Sequence, residues 1–229
     1  MSTGLLRRLV EVLREASSDA SVDAVVVTGS GGCFSSGADV SEDLDAPGAR
    51  VRMGLFCSLY ELVVAFPLPT VAAISGWCIG GGAELAAACD LRVGDQTAAI
   101  RFPGATFGVP AGAARLPLLV GLSHAKDLLM TARTVGAAEA HRMGFLNRLV
   151  PQRGPRAGHL TVAERTISGQ ELLGEAASLA AAMAANPGAM IQKRALDEAT
   201  GLSGRVRRES RALRRWQEGA EGPGGGLIR

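Results

Sequence analysis

Gly80, Gly81 and Gly82 stand directly ahead of Ala83-Glu84-Leu85-Ala86, a spacing that could hold an oxygen and pass it a proton. A glycine has no Cβ to shield its N–H, and the first N–H groups of a helix have no partner within it. An oxygen gaining negative charge can therefore bind at such a turn. Glu84 falls in the first turn beside those donors, where a carboxylate could serve as acid or base. A plainer reading is open as well, in which the glycines allow close helix packing and Glu84 only favours the helix dipole. Other chemistry finds less support. His124, His141 and His159 lie outside any metal-ligand spacing, with the first two expected on surface helices. Cys33, Cys57, Cys78 and Cys89 form no CxxC pair, so structural thiols are expected, with no disulfide and no metal site. Gly29-Ser30-Gly31-Gly32 lacks the spacing of a dinucleotide or phosphate loop and reads as a turn.

The elements that must position these residues read as mixed α and β. Thr70 to Ile74 is a short strand rich in β-branched residues, interrupted at Gly76, and Val25 to Gly29 is a buried strand followed by a loop of small residues from Cys33 to Val40. Leu5, Leu6, Leu9, Val10, Val12 and Leu13 recur at helical spacing, so the sequence opens on a helix. Ser41 to Ala49 reads as an acidic loop and Arg50 to Phe66 as a helix ended by Pro67 and Pro69. Leu91 to Val93 and Ala98 to Phe102 read as strands, and Leu116 to Val120 and Lys126 to Thr131 as helical, giving a repeat of strand, strand, helix. Trp77 is expected in the core, and could also line a pocket beside the glycine turn. The predicted organisation is a core over residues 1–150, a polar Pro/Gly-rich linker over 151–169, and a helical region with tail over 170–229. In that last region Glu171 to Ala185 and Pro187 to Thr200 are helices, and the segment from Gly201 is a surface helix with a frayed end, where Trp216 could serve as a subunit contact.

At 229 residues the chain is long enough for one sizeable core, and 47% hydrophobic with 20% charged residues is a globular composition. The formal net charge is only +2, and the arginines are dispersed except near the C-terminus, which argues against a nucleic-acid partner. No apolar run is long enough to span a bilayer and no secretory pattern opens the sequence, so no membrane partner and a cytoplasmic location are expected.

Two motifs in order make the sequence resemble the crotonase family, also called the enoyl-CoA hydratase/isomerase family. Thr28-Gly29 is followed by Phe34-Ser35-Ser36-Gly37-Ala38-Asp39-Val40, and Gly76 by Gly80-Gly81-Gly82, Glu84-Leu85 and Cys89-Asp90. Gly144 to Pro151 is similar to a third family segment, so the likeness covers roughly residues 5 to 200. The resemblance implies a crotonase-like α/β spiral of strand-strand-helix units with C-terminal helices for oligomerisation, and so a homotrimer or hexamer. It implies an acyl-CoA thioester substrate of fatty acid metabolism, with coenzyme A part of that substrate and no separate cofactor. The backbone N–H groups of Ala38 and Gly81 would form an oxyanion hole for the thioester enolate, and Glu84 would be the acid or base. Substrate contacts would come from Ser36, Ala38, Asp39, Val40, Trp77, Ile79, Gly81, Pro103, Gly104, Phe107 and Gly108.

The sequence departs from the family pattern at Pro103-Gly104, where hydratases carry a Pro-Glu dipeptide whose glutamate shares the attacking water. Glu84 would then be the one retained catalytic glutamate, and a glutamate introduced at position 104 is expected to raise hydration. The loop Val109 to Leu116 is also shorter than the family's. The resemblance implies two strands and a turn ahead of the first helix that help hold the adenine end of CoA. The sequence as given starts at the helix, which leaves an upstream start codon or a reduced nucleotide pocket as alternatives. Beside the enzyme stand two other readings: a catalytically impaired acyl-CoA-binding homologue, and a structural subunit of a hetero-oligomer.

Overall fold

Val71, Ala72, Ala73 and Ile74 are fully buried because β2 (Thr70–Ile74) runs between two parallel neighbours, with helices on both faces. The structure, a computed structural model, describes residues 1–151 and 162–219, the stretch 162–168 as backbone only. Alternation along β2 sends Val71 and Ala73 toward α6 (Val162–Ala184), which contributes Leu172, Ala176, Leu179 and Ala180. Ala72 and Ile74 face the larger core on the other side.

The parallel sheet has the order β1-β2-β4-β7, with β1 at Val25–Thr28, β4 at Leu91–Gly94 and β7 at Arg148–Leu149. A second sheet, β3-β5-β6, is built from Trp77–Ile79, Ala99–Arg101 and Thr134–Gly136. The chain leaves the first sheet after β2, enters the second as β3 and turns into α3 (Gly81–Ala88). It repeats the step from β4 through β5 to α4 (Leu116–Thr131), with a short 3₁₀ turn at Pro103–Phe107 between them. This is the strand-strand-helix repeat expected from the sequence. Non-helical backbone at Gly121 breaks α4, which explains why its two halves read separately.

Some expectations need correction. The Val25–Val27 run forms β1, but at the sheet edge, so it is only half-buried. The second helix, α2 (Ala46–Val64), starts four residues earlier than its apolar pattern suggested. Asp45 caps it by accepting from the Gly48 N–H, and Pro47 sits in the first turn. The short strands β3, β6 and β7 carry too few residues for a periodic signal. Of the stretch 151–169, residues 152–161, His159 among them, lie outside the described residues, and α6 already begins at Val162. α7 (Ala189–Thr200) follows. The Arg-rich segment, α8 (Leu202–Gly219), is more than a surface helix: Val206, Glu209, Ser210, Leu213 and Gln217 are buried where it packs on α2.

The first helix, α1 (Thr3–Ser18), buries Leu6, Val10 and Leu13 against α2, as its spacing predicted. His124 and His141 are exposed on α4 and α5 (Ala137–Arg142), the four cysteines are free, and no described residues cluster as metal ligands. Among the described residues no helix is long and apolar enough to cross a membrane.

Two motif residues pin the strands that carry the site. Asp90 accepts from the Thr70 N–H and hydroxyl and pairs with Lys193 at 2.9 Å. Asn147 accepts from the Arg92 backbone N–H, while the buried Arg92 side chain donates to the carbonyls of Phe145 and Cys89. Burial lowers that guanidinium to about 10.

Candidate active site

Residues 34–36 run beside β3: Ser35 N–H donates to the Trp77 carbonyl, and Ile79 N–H donates to the Ser35 carbonyl. This pairing lays the small-residue loop against the glycine turn. A Cβ built on Gly37 would stand 3.7 Å from the Gly81 nitrogen and 3.0 Å from the Ile79 carbonyl oxygen. Gly37, the residue before Ala38, is thus brought against Gly81, and neither the Ala38 nor the Gly81 N–H donates to another group among the described residues. The α2 wall holds the turn from below. The Tyr60 hydroxyl donates to the Gly81 carbonyl at 3.2 Å, and the Phe56 ring lies where a Cβ on Gly81 would fall, 2.5 Å away.

Glu84 sits one turn into α3, with its N–H donating to Gly80, and is only 4% exposed. Its Oε2 accepts from Arg115 Nη2 at 2.5 Å. The loop ahead of α4 closes over the carboxylate, and Gly112 is required there. Its φ is +88°, and a Cβ would lie 2.8 Å from Glu84 Oε1 and 2.6 Å from Leu129. Burial raises the Glu84 carboxyl above its ordinary value; Arg115 pulls the other way and Glu209 adds to the rise.

Arg115, Glu209 and Tyr60 were not singled out from the sequence. Arg115 Nη2 also pairs with Glu209 of α8 at 2.9 Å, and its guanidinium lies over the Tyr60 ring, 4.9 Å from the centroid. Burial raises Tyr60 well above the usual phenol range, so it stays neutral. Two signals in the sequence pointed here. Arg115 is a lone charge between Ala114 and Leu116, and Glu209 falls three residues after Val206 on the apolar face of α8.

The remaining predicted contacts lie nearer the surface. Ala38, Asp39 and Ile79 are half-buried, Ser36 is exposed and Val40 is 94% exposed. Trp77 is 51% exposed, which overturns its expected core role: at the end of β3 its ring has no layer above it. A Cβ on Gly80 would stand 3.6 Å from the Pro103 ring, while Phe107 and Gly108 close an exposed turn. Gly104 is held tightly. Its carbonyl accepts from Val109 N–H at 2.8 Å, and a Cβ would meet the Val109 carbonyl oxygen at 2.5 Å. A glutamate at 104 would therefore have to shift the Val109 backbone before its carboxylate could be placed. Gly104→Glu should cost roughly 1–3 kcal/mol by overpacking. A thermal melt checks this, and a midpoint equal to the parent's would contradict it.

A cavity of about 550 Å³ lined by Asn147, Leu149, Val150, Pro151 and Glu171 includes none of these residues.

Comparison with known proteins agrees with the fold and the motifs. The family model described as enoyl-CoA hydratase/isomerase matches residues 1–207. A probable enoyl-CoA hydratase from Mycobacterium tuberculosis is 30% identical over 201 residues, covering 85% of this chain and 78% of that protein. A crotonyl-CoA hydratase from Syntrophomonas wolfei is 36% identical over 151 residues, 63% of this chain and 58% of the relative. Among solved structures, an enoyl-CoA hydratase/isomerase from Xanthobacter autotrophicus superposes with a TM-score of 0.79 at 28% identity, covering 99% of this chain and 80% of that one.

Proposed function

Because the chain belongs to the enoyl-CoA hydratase/isomerase family, we propose that it acts on an acyl-CoA thioester of fatty acid metabolism by stabilising the enolate at Ala38 and Gly81, with Glu84 as acid or base. Negative charge that develops on the thioester oxygen is met by two N–H donors already held in place, each worth on the order of 3 kcal/mol in other oxyanion holes. Glu84, one turn below, exchanges a proton with the carbon next to the thioester or with the attacking water. What supports this reading is the packing of Gly37 against Gly81, the unspent N–H groups of Ala38 and Gly81, and the buried carboxylate of Glu84 one turn along the same helix. Crotonyl-CoA is the probe. Calorimetry should give binding heat, with loss of enoyl absorbance on turnover, and a flat titration at millimolar ligand would refute the proposal.

Two features favour a second reading. Position 104 offers no carboxylate and Glu84 is held by Arg115, an arrangement that suits an acyl-CoA-binding homologue without turnover. Binding heat without any absorbance change selects it.

Assembly into a homotrimer or hexamer belongs to the same proposal. α7 buries none of its residues within one chain and leaves Ile191 and Leu196 67% and 63% exposed, apolar surface that a neighbouring subunit would cover. Light scattering should give three or six times the 23.5 kDa chain mass, and a monomer at micromolar concentration would contradict it.

A further inference from the structure

The Glu84 carboxylate is not the sole acid in its surroundings. Glu84 Oε2 and Glu209 Oε2 both accept from one atom, Arg115 Nη2, at 2.5 and 2.9 Å, and all three side chains are at least nine-tenths buried. Glu209 comes from α8, beyond the residues matched to the family model. On the buried face of that helix its neighbours Val206, Ser210 and Leu213 carry no charge. Its other oxygen accepts from the Ala114 N–H at 2.9 Å, so the carboxylate grips both the backbone ahead of Arg115 and the guanidinium itself. Arg115 Nε and Nη1 are buried without a partner among the described residues. Neither glutamate therefore holds the guanidinium in the two-point fork that would commit it to one side.

We propose that Glu209 is a positioning residue for Glu84: it anchors Arg115 and shares its charge, so that Arg115 orients the Glu84 carboxylate without locking it as an anion. This rests on the reading of Glu84 as acid or base. A buried carboxylate paired one-to-one with an arginine gives up its proton too readily to return it, whereas two acids facing one guanidinium hold a single net negative charge between them. The other titratable groups around the cluster are Tyr60 and Cys57 on α2, Cys78 on β3 and Arg214 on α8. Tyr60, Cys57 and Cys78 are all raised by burial and stay neutral, and Arg214 acts on Cys57, so the charge balance at Glu84 rests on Arg115 and Glu209. The C-terminal helix thereby becomes part of the site.

The test is a pH titration of the side-chain carboxyl carbon of Glu84 in ¹³C-glutamate-labelled protein, with the signal identified by its loss in Glu84→Gln. In Glu209→Gln, which keeps an acceptor for Ala114, the Glu84 midpoint should fall by roughly one unit or more, because the repelling charge is gone and Arg115 turns wholly to Glu84. The acidic limb of the pH–rate profile should move the same way, with KM for crotonyl-CoA changed less than kcat. A midpoint within about 0.3 unit of the parent's overturns the proposal. Should Glu209→Gln fail to fold, the parent alone decides: sharing requires a broadened, two-step curve for Glu84, and a single-site curve overturns it. Loss of turnover in Glu84→Gln with a parent-like Glu84 midpoint in Glu209→Gln refutes the role of Glu209 alone. Full turnover in Glu84→Gln refutes both that role and the acid–base reading beneath it.

Discussion

Glu84→Gln is expected to cut crotonyl-CoA hydration roughly 10²- to 10⁴-fold, the usual loss for a missing general acid or base, while raising thermal stability at pH 7 to 8. The two effects have one cause. Burial raises the Glu84 carboxyl in the folded protein above its unfolded value of about 4.3. A raised carboxyl contributes stability that is fully present below the unfolded value and is lost as pH rises through the folded one. Glutamine never ionises, so the variant is spared that loss. Arg115 is not stranded by the change, because Glu209 still balances its charge at 2.9 Å and the glutamine oxygen can accept from Nη2. Parent and variant should melt together near pH 4 and separate at neutral pH with the variant higher. A variant that melts several degrees below the parent at pH 7 would mean that the Glu84–Arg115 pair is a net stabilising contact.

Arg115→Met carries the larger stability effect. Methionine fills similar volume but leaves the carboxylates of Glu84 and Glu209 facing one another in the core with no cation between them. Removing one partner from a buried ionic cluster costs about 3–5 kcal/mol, a large share of the 5–15 kcal/mol typical of a folded domain. The packing of the guanidinium on Tyr60 is lost as well. Urea unfolding at pH 8 should show the full drop in midpoint. At pH 5 part of it should return, since the two acids can relieve their repulsion by taking up a proton. Adding Glu84→Gln and Glu209→Gln to Arg115→Met should restore most of the loss, because the variant then buries no unpaired charge. A midpoint for Arg115→Met equal to the parent's at pH 8 would show that the cluster is solvated in solution.

The glycine turn, the glutamate one turn after it and the strand-strand-helix order were legible from residue types and spacing. Gly80 to Glu84 lie within one turn of chain, so the Gly81 N–H and the Glu84 side chain are placed by local backbone geometry, whereas Ala38 reaches them only through the pairing of residues 34–36 with β3. Asp90 and Asn147 were marked by their motifs, but the partners they tie together, Thr70 and Arg92, are distant in the chain and were supplied by the fold. Less was legible where a signal needs length or a distant partner. β3, β6 and β7 are two or three residues long, below any periodicity, and Trp77 read as a core residue because nothing local says which layer will cover it. Gly104 looked like a vacant position for a glutamate until the fold brought the Val109 carbonyl against it. The charge cluster was decided by tertiary structure alone. Helical spacing could place Glu209 on the buried face of α8, and apolar neighbours could mark Arg115 as buried. Their meeting with Glu84 depends on α8 packing across α2, which joins α3, the loop ahead of α4 and α8 over a hundred residues of chain. Caps, turns and periodicity act within a few residues, whereas the balance of buried charge is a property of segments that only folding makes neighbours.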